Sequence, residues 1–189
     1  MTPKNILDIN SRSAFREWLL IHSTSEKECW IAVKRGKTPP EGALWYLDAV
    51  EEALCFGWID STVKSVDGVT LQRFGPRSKN GNWTELNKER CRRLDKLGLM
   101  TERGRVVCPD LDAEFEIIPE IVDVFSANCV AWENFKSFPG LYQRVRIDNI
   151  QRNKASREIF ENRLLKLIKA SERGEMIGDC HDCGRLLNY

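Results

Sequence analysis

The fold is predicted mainly from residues 44–74, LWYLDAVEEALCFGWIDSTVKSVDGVTLQRF. Its first part places apolar side chains around most of a helical circumference, which predicts a buried helix over 44–56. The acidic residues Asp48, Glu51 and Glu52 lie outside these apolar positions, so we expect them to face water. Such a helix should pack against the centre of a domain.

The second part of the stretch is typical of a β-hairpin. Gly57 stands where a left-handed helix cap is commonest, so we expect the chain to turn there into a strand. Asp67 and Gly68 then separate two valines. Asp-Gly suits a type I′ turn, which needs a positive φ at both central residues. The pattern predicts strands over 59–66 and 69–74, joined by this turn.

Further elements are predicted on both sides of the stretch. Asn10 or Ser11 can cap a helix, and the β-rich run 29–35 follows that helix. After the hairpin, Thr84 can cap another helix, and a helical half begins near Pro119. The sequence therefore predicts an α+β fold, in which a small antiparallel β-sheet packs against helices and the C-terminal half is helical.

The domain organisation follows from this order of elements. We expect residues 1–172 to form a single α+β domain, with a sheet-containing part at about 11–100 and a helical part at about 115–170. Residues 173–189 contain three glycines and no resumed helical pattern, so they are expected to form a flexible, cysteine-containing tail.

Composition restricts the class of protein. Of the 189 residues, 42% are hydrophobic and 30% are charged, as in soluble globular domains. The longest apolar runs fall short of the roughly 20 residues that cross a bilayer. The first ten residues do not have the pattern of a signal peptide. We therefore expect no membrane span and a cytoplasmic location.

Charge is balanced overall but uneven along the chain. The formal net charge of +1 argues against nucleic acid as a partner. Residues 136–173 nevertheless contain ten basic and four acidic residues, whereas residues 101–123 contain two basic and seven acidic ones. Either the two segments face each other, or the basic C-terminal helices bind nucleic acid. The second interpretation is kept as an alternative function.

A polar pocket is predicted where the outer ends of the hairpin strands meet. Antiparallel pairing outward from the turn places Asp60 near Gly75, within two residues of Arg77. A structural ion pair between Asp60 and Arg77 is the alternative interpretation. The six residues predicted to border a site for a small molecule or peptide are Trp58, Asp60, Gln72, Arg77, Trp83 and Asn87.

The sequence contains no recognised catalytic template, such as a glycine-rich phosphate loop or a nucleophile elbow. His22 and His181 are the only histidines, and we expect His22 to be a capping or surface residue. No cofactor is predicted. An enzyme with an unrecognised active site around Asp60 and Arg77 is the competing hypothesis.

The cysteines fall into two groups. The segment Cys180-His181-Asp182-Cys183 is a Cys-x-x-Cys motif, but a closed zinc site needs four ligands and no second pair completes it. Cys180, His181 and Cys183 are therefore only weak metal candidates, and we expect accessible, easily oxidised thiols instead. The other cysteines are expected to be reduced and mostly buried: Cys29, Cys55, Cys91, Cys108 and Cys129.

Several segments between residues 15 and 169 resemble the YdeI/OmpD-associated (bacteriocin-protection) family. The longest is AVEEALCFGWIDS, residues 49–61, and the others are Arg16-Glu17-Trp18-Leu19, Gln72-Arg73-Phe74 with Pro76-Arg77, and Trp83 with Asn87. The resemblance implies a bacterial cytosolic protein of mixed α and β structure with a stress or bacteriocin-protection association. It implies no established reaction.

Overall fold

The computed structural model describes residues 3–78 and 81–189. Within these residues the chain forms four strands and eight helices. Their order is β1 (Ile6–Leu7), α1 (Arg12–His22), β2 (Cys29–Ala32), α2 (Tyr46–Cys55), β3 (Trp58–Val66), β4 (Val69–Pro76), α3 (Glu85–Lys96), α4 (Glu102–Val107), α5 (Pro119–Ser126), α6 (Cys129–Ser137), α7 (Gly140–Gln151) and α8 (Arg157–Glu172). The α+β class predicted from the sequence is confirmed. No helix in the described part of the chain is long and apolar enough to cross a membrane.

The four strands form one mixed sheet in the order β1-β2-β4-β3. The three predicted strands pair antiparallel, and Val66 pairs with Val69 across the turn. Asp67 and Gly68 both have positive φ, 48° and 79°, so the predicted type of turn is confirmed. The short β1 pairs parallel with β2, which the sequence analysis did not predict.

Local signals fix the ends of several helices as predicted. The Ser11 hydroxyl accepts the backbone N–H of Ala14 at the start of α1. The Thr84 hydroxyl accepts the backbone N–H of Asn87 in α3. Gly57 follows α2 with φ 73°, the left-handed conformation that turns the chain into β3. The helix α2 itself is shorter than the predicted 44–56.

The chain divides into two compact units by its internal contacts. The first unit comprises Met1–Asn82, Arg90–Leu111 and Tyr189, and the second comprises Trp83–Glu89 and Asp112–Asn188. All four strands therefore belong to the first unit. The helices α5 to α8 belong to the second.

The first unit packs α1 and α2 against one face of the sheet. Phe15 of α1 lies 5.3 Å from Phe74 of β4 between ring centroids, and both rings are fully buried. The helix α4 lies very close to the end of α2, because a Cβ atom built on Gly104 would come within 2.3 Å of the Cys55 carbonyl oxygen. Only glycine fits at this position.

A buried charge network joins α1, α2 and α3 within the first unit. Glu51 and Glu52 are each 1% exposed, so the prediction that the acidic residues of α2 face water is wrong. Arg12 reaches all three carboxylates, at 3.1 Å from Asp48, 2.8 Å from Glu51 and 2.6 Å from Glu52. Arginines supplied by neighbouring helices thus allow charge to be buried on the apolar side of α2.

Two further arginines complete this network. Arg16 lies 2.7 Å from Glu52, and Arg93 lies 2.8 Å from Glu51. Burial works to lower the pKa of Arg12, but the carboxylates of Glu52 and Glu51 raise it above its ordinary value. The pattern of α2 alone could not show this, because the partners lie about 40 residues away in the sequence.

The second unit has an apolar core built on aromatic rings. Phe125 of α5 and Phe135 of α6 are fully buried, with ring centroids 4.8 Å apart. Phe138 stacks edge-on against Tyr142 at 5.5 Å. Apolar side chains from α7 and α8 complete the core, among them Ile147 and Leu167.

Candidate functional site

A β-bulge decides which residues share a face of the hairpin. Val63 pairs with Gln72, but Asp60 pairs with Phe74, so two residues of β3 lie opposite Arg73 alone. The predicted pairing of Asp60 with Gly75 is therefore wrong, because Ile59 takes that place. A shift of one residue exchanges the two faces of a strand. Asp60 consequently shares a face with Phe74, whereas Arg73 and Gly75 lie on the opposite face.

A polar cluster lies on the face that Asp60 shares with Phe74. The Tyr46 hydroxyl donates to Asp60 Oδ2 at 2.7 Å, and Arg35 stacks 3.5 Å above the centre of the Tyr46 ring. Arg35 Nη2 also donates to Gln72 Oε1 at 2.9 Å. Burial, and then the Asp60 carboxylate, raise the pKa of Tyr46 above its ordinary value. Tyr46 is therefore a hydrogen-bond donor at neutral pH.

An open cavity of about 370 Å³ lies on the opposite face, at the end of the hairpin within the first unit. We call it the Arg77 cavity. Among the described residues that line it, three are cationic and none carries a carboxylate. The lining residues are Lys27, Ile59, Ser61, Arg73, Gly75, Pro76, Arg77, Ser78, Gly81 and Asn82.

Hydrogen bonds hold both arginines of the Arg77 cavity in place. Arg77 Nη2 donates to the Asn82 carbonyl oxygen at 2.8 Å, and the Arg77 backbone N–H donates to Gly57. Arg73 Nε pairs with Glu28 Oε2 at 2.6 Å, and its Nη1 donates to Ser61 Oγ at 3.2 Å. The hydrogen bond from Arg73 lowers the pKa of Glu28, which therefore stays ionised. Both guanidinium groups are oriented before any ligand arrives.

The six residues predicted to share one pocket do not all line one. Trp58 is a core residue, 1% exposed, whose Nε1 donates to the Ser23 carbonyl oxygen. Asp60 belongs to the polar cluster, as does Gln72, which is also 1% exposed. Of the six, Arg77 lines the cavity.

The other two predicted residues, Trp83 and Asn87, belong to the second unit. Sequence analysis missed Arg73, Lys27 and Ser61 as neighbours of Arg77. Alternation along β4 places Arg73 on the same side as Gly75 and Arg77, so Arg73 could have been found from the sequence. Ser61 could have been found only if the bulge in β3 had been known.

The Cys-x-x-Cys segment differs from the prediction in one respect. Cys183 is exposed, but Cys180 is 9% exposed and belongs to the apolar core of the second unit, so the prediction that both thiols are accessible is wrong. The Ile177 backbone N–H donates to the Tyr142 hydroxyl at 2.8 Å, which directs the following residues into the core. His181 Nδ1 accepts the Gly184 N–H. Residues 3–78 and 81–189 contain no cluster of three or more His, Cys, Asp or Glu side chains that could hold a metal ion.

His22 lies in the last turn of α1, where its ring is 5.0 Å from that of Trp18.

Comparison with known proteins identifies a family but no activity. No curated protein and no solved structure matches the chain. One family model, described as a domain of unknown function (DUF8412), matches residues 7–107. The match covers more than half of the chain and includes every residue that lines the Arg77 cavity. The chain therefore belongs to the DUF8412 family.

Proposed function

We propose that the first unit binds a small molecule or peptide through an anionic oxygen group, a phosphate or a carboxylate, in the Arg77 cavity. The observation that carries this proposal is the charge of the lining: Lys27, Arg73 and Arg77 face one cavity, and no carboxylate lines it in the part of the chain that the structure describes. Guanidinium groups present several N–H donors in a fixed plane, a geometry that matches phosphate and carboxylate oxygens.

Other features of the cavity support the same ligand class. Its volume falls within the range of small-molecule sites. Ser61 and Ser78 add hydroxyl groups to the lining, and Ile59 and Pro76 add an apolar wall. A ligand with one anionic end and a small apolar body is the best match for this lining.

The cellular setting is also part of the proposal. Residues 49–61 support membership of the YdeI/OmpD-associated (bacteriocin-protection) family, and with it a cytoplasmic, stress-associated role in a bacterium. Under this hypothesis the protein is a ligand-sensing module. Its ligand would be the anionic molecule that occupies the Arg77 cavity.

Calorimetric titration with inorganic phosphate, and separately with acetate, tests the ligand class. We expect binding of at least one of these anions, weakened roughly ten- to a hundredfold by Arg77→Gln, because a hydrogen bond to a charged group contributes about 1.5–3 kcal/mol. Arg105→Gln is the matched control, since Arg105 is an exposed arginine of the first unit paired with Asp95. Equal binding by both variants, or no binding of either anion, would contradict the proposal.

An enzyme is the competing function, and the polar cluster supplies the observation in its favour. Asp60 is partly exposed and accepts a hydrogen bond from Tyr46, an arrangement able to orient a carboxylate for proton transfer. Turnover of any member of a broad substrate panel, abolished by Asp60→Asn and retained by Tyr46→Phe at a reduced rate, would favour this alternative. Anion binding without turnover would favour the sensing module.

Nucleic-acid binding is the further alternative, and it would use the second unit. A groove of about 490 Å³ along α8 is lined by Lys166, Lys169 and Arg173, with Glu175 as its single acidic residue. Retention on immobilised DNA that weakens steeply with salt and with the double variant Lys166→Gln/Lys169→Gln would support it, because phosphate contacts release counterions. Anion binding lost with Arg77→Gln would instead favour the Arg77 cavity.

A further inference from the structure

Two cysteines of the first unit lie together although they are far apart in the sequence. Cys91 is in α3, and Cys108 follows the last residue of α4. Their side chains hydrogen-bond each other. Cys91 is fully buried, Cys108 is half-buried, and both are free thiols. The sequence predicts only that both belong to a group of reduced, mostly buried thiols.

The environment makes the two thiols unequal. The hydrogen bond with Cys91 and the charge of Arg77 lower the pKa of Cys108, although burial opposes them. The same hydrogen bond, together with burial, raises the pKa of Cys91. Cys108 is therefore the more acidic thiol of the pair. The partly exposed member thus provides the attacking sulfur.

The remaining cysteines lack this combination. Burial raises the pKa of Cys29, and it raises that of Cys55 to about 12. Cys129 and Cys183 are exposed, but their thiols have no cysteine neighbour that the structure brings into hydrogen-bonding contact among the described residues. They provide internal controls of ordinary accessibility.

We propose that Cys108 and Cys91 form an oxidisable dithiol, which a peroxide or a small disulfide converts to an intramolecular disulfide. This inference does not depend on the function proposed for the Arg77 cavity. It assigns to the first unit a modification site with an attacking cysteine, Cys108, and a resolving cysteine, Cys91.

The reaction with hydrogen peroxide balances in two steps. The Cys108 thiolate attacks one peroxide oxygen, the O–O bond breaks, and Cys108 becomes a sulfenic acid while hydroxide leaves. The Cys91 sulfur then attacks the Cys108 sulfur, the S–O bond breaks, and the departing hydroxide takes the Cys91 proton as water. The two sulfurs together lose two electrons, and both peroxide oxygens are reduced to water and hydroxide.

A small disulfide as oxidant gives the same product by exchange. The Cys108 thiolate attacks one sulfur of the reagent, and the first thiolate leaves with its electron pair. Cys91 then attacks Cys108, the mixed disulfide breaks, and the second half of the reagent leaves as a thiol with the Cys91 proton. Both routes require Cys108 to be reached first, which agrees with its partial exposure.

Peptide mapping of the full chain after graded peroxide treatment tests the proposal. Free thiols are blocked under denaturing conditions, and cross-linked peptides are identified by mass spectrometry. We expect a Cys91–Cys108 disulfide at peroxide doses that leave Cys129 and Cys183 reduced. Cys108→Ser should abolish the cross-link, and the matched control Cys183→Ser should leave its yield unchanged.

A second measurement uses the unaltered protein, so it tests the proposal even where Cys108→Ser folds poorly. Alkylation of Cys108 in the unaltered protein, followed across pH, should have its midpoint below that of a free cysteine-containing peptide measured in parallel. Oxidation of Cys129 or Cys183 before the pair would overturn the proposal. So would a Cys180–Cys183 disulfide formed in its place, or an alkylation midpoint for Cys108 at or above that of the free peptide.

Discussion

Two regions of the molecule, the junction of α1, α2 and α3 and the core of α5 to α8, are buried by different means. In the first unit, three arginines and three carboxylates meet between α1, α2 and α3, and two of those carboxylates are almost completely buried. In the second unit, the helices α5 to α8 meet through aromatic and aliphatic side chains. Charge is thus buried where α1, α2 and α3 meet, whereas the core that α5 to α8 share is apolar. The second unit buries charge outside that core, at Glu85, which pairs with Lys88 and Arg144.

The two kinds of burial predict different responses of stability to mutation. A buried ion pair adds little over a well-packed apolar pair, but removing one partner is costly because it leaves a buried charge behind. An aromatic core loses contact area and gains a cavity when a ring is removed. The junction of α1, α2 and α3 should therefore be sensitive to changes of charge, and the core of α5 to α8 to changes of volume.

The largest expected effect is that of Phe135→Ala in the second unit. Phe135 is fully buried and lies against the rings of Phe125, Trp132 and Phe138. Its removal should lower the free energy of unfolding by about 4 kcal/mol, because transfer and cavity costs add. Urea denaturation measures the loss, and amide hydrogen exchange should place it in α5, α6 and α8. A loss below about 1 kcal/mol would mean that the ring is not packed as described.

The second effect is that of Arg12→Ala in the first unit. The substitution leaves Asp48, Glu51 and Glu52 with fewer cationic partners, so we expect a loss of about 3 kcal/mol. Arg105→Ala breaks an exposed pair and should cost less than about 1 kcal/mol in the same assay. Equal losses in the free energy of unfolding for the two variants would contradict the claim that Arg12 pairs with buried carboxylates.

Deletion of residues 178–189 should have a smaller but measurable effect. From the sequence, a flexible tail predicts almost no change in stability. Cys180 is buried in the core of the second unit, and Leu186 is also buried. Their burial instead predicts that the deletion lowers the free energy of unfolding by about 1–3 kcal/mol. The single substitution Cys180→Ser separates the core contact from the remaining tail residues. A melting temperature unchanged by the deletion would instead support the flexible tail that the sequence predicts.

The smallest effect is expected at Asp148, and it has the opposite sign. Burial raises the pKa of Asp148 above its ordinary value, although it accepts the backbone N–H of Glu85. A carboxyl whose pKa is raised by folding binds its proton more tightly in the folded state, so its ionisation costs stability at neutral pH. Asp148→Asn keeps an acceptor and removes the charge, so it should stabilise by less than about 1 kcal/mol after solvent screening.

The pH dependence checks this sign. The advantage of Asp148→Asn should be full above the raised pKa of the folded protein. It should vanish as the pH falls below the ordinary value of 3.8, where both states are protonated. An advantage that grows on acidification would contradict the assignment.

Local signals in the sequence predicted most of the fold. The Asp67-Gly68 turn, the Gly57 cap and the Ser11 and Thr84 caps depend on neighbouring residues alone, and all four lie where they were expected. The charge network and the Cys91–Cys108 contact were missed, because their partners are distant in the sequence.

The candidate site also depends on contacts that local signals in the sequence do not predict. A bulge at one position of β3 separates Asp60 from Arg77, because it moves Asp60 to the other face of the sheet. No turn or cap residue in the sequence marks this bulge. Arg77 and, by alternation along β4, Arg73 could therefore be selected from the sequence, but Ser61 and Lys27 could not.

Amide chemical shifts recorded during a titration with inorganic phosphate test whether the first unit carries the ligand site. We predict that the largest shifts occur at Gly75, Arg77, Gly81 and Asn82, which line the Arg77 cavity, and that Arg77→Gln removes them. Shifts concentrated instead at Lys166 and Lys169 of α8, or unchanged by Arg77→Gln, would contradict the account.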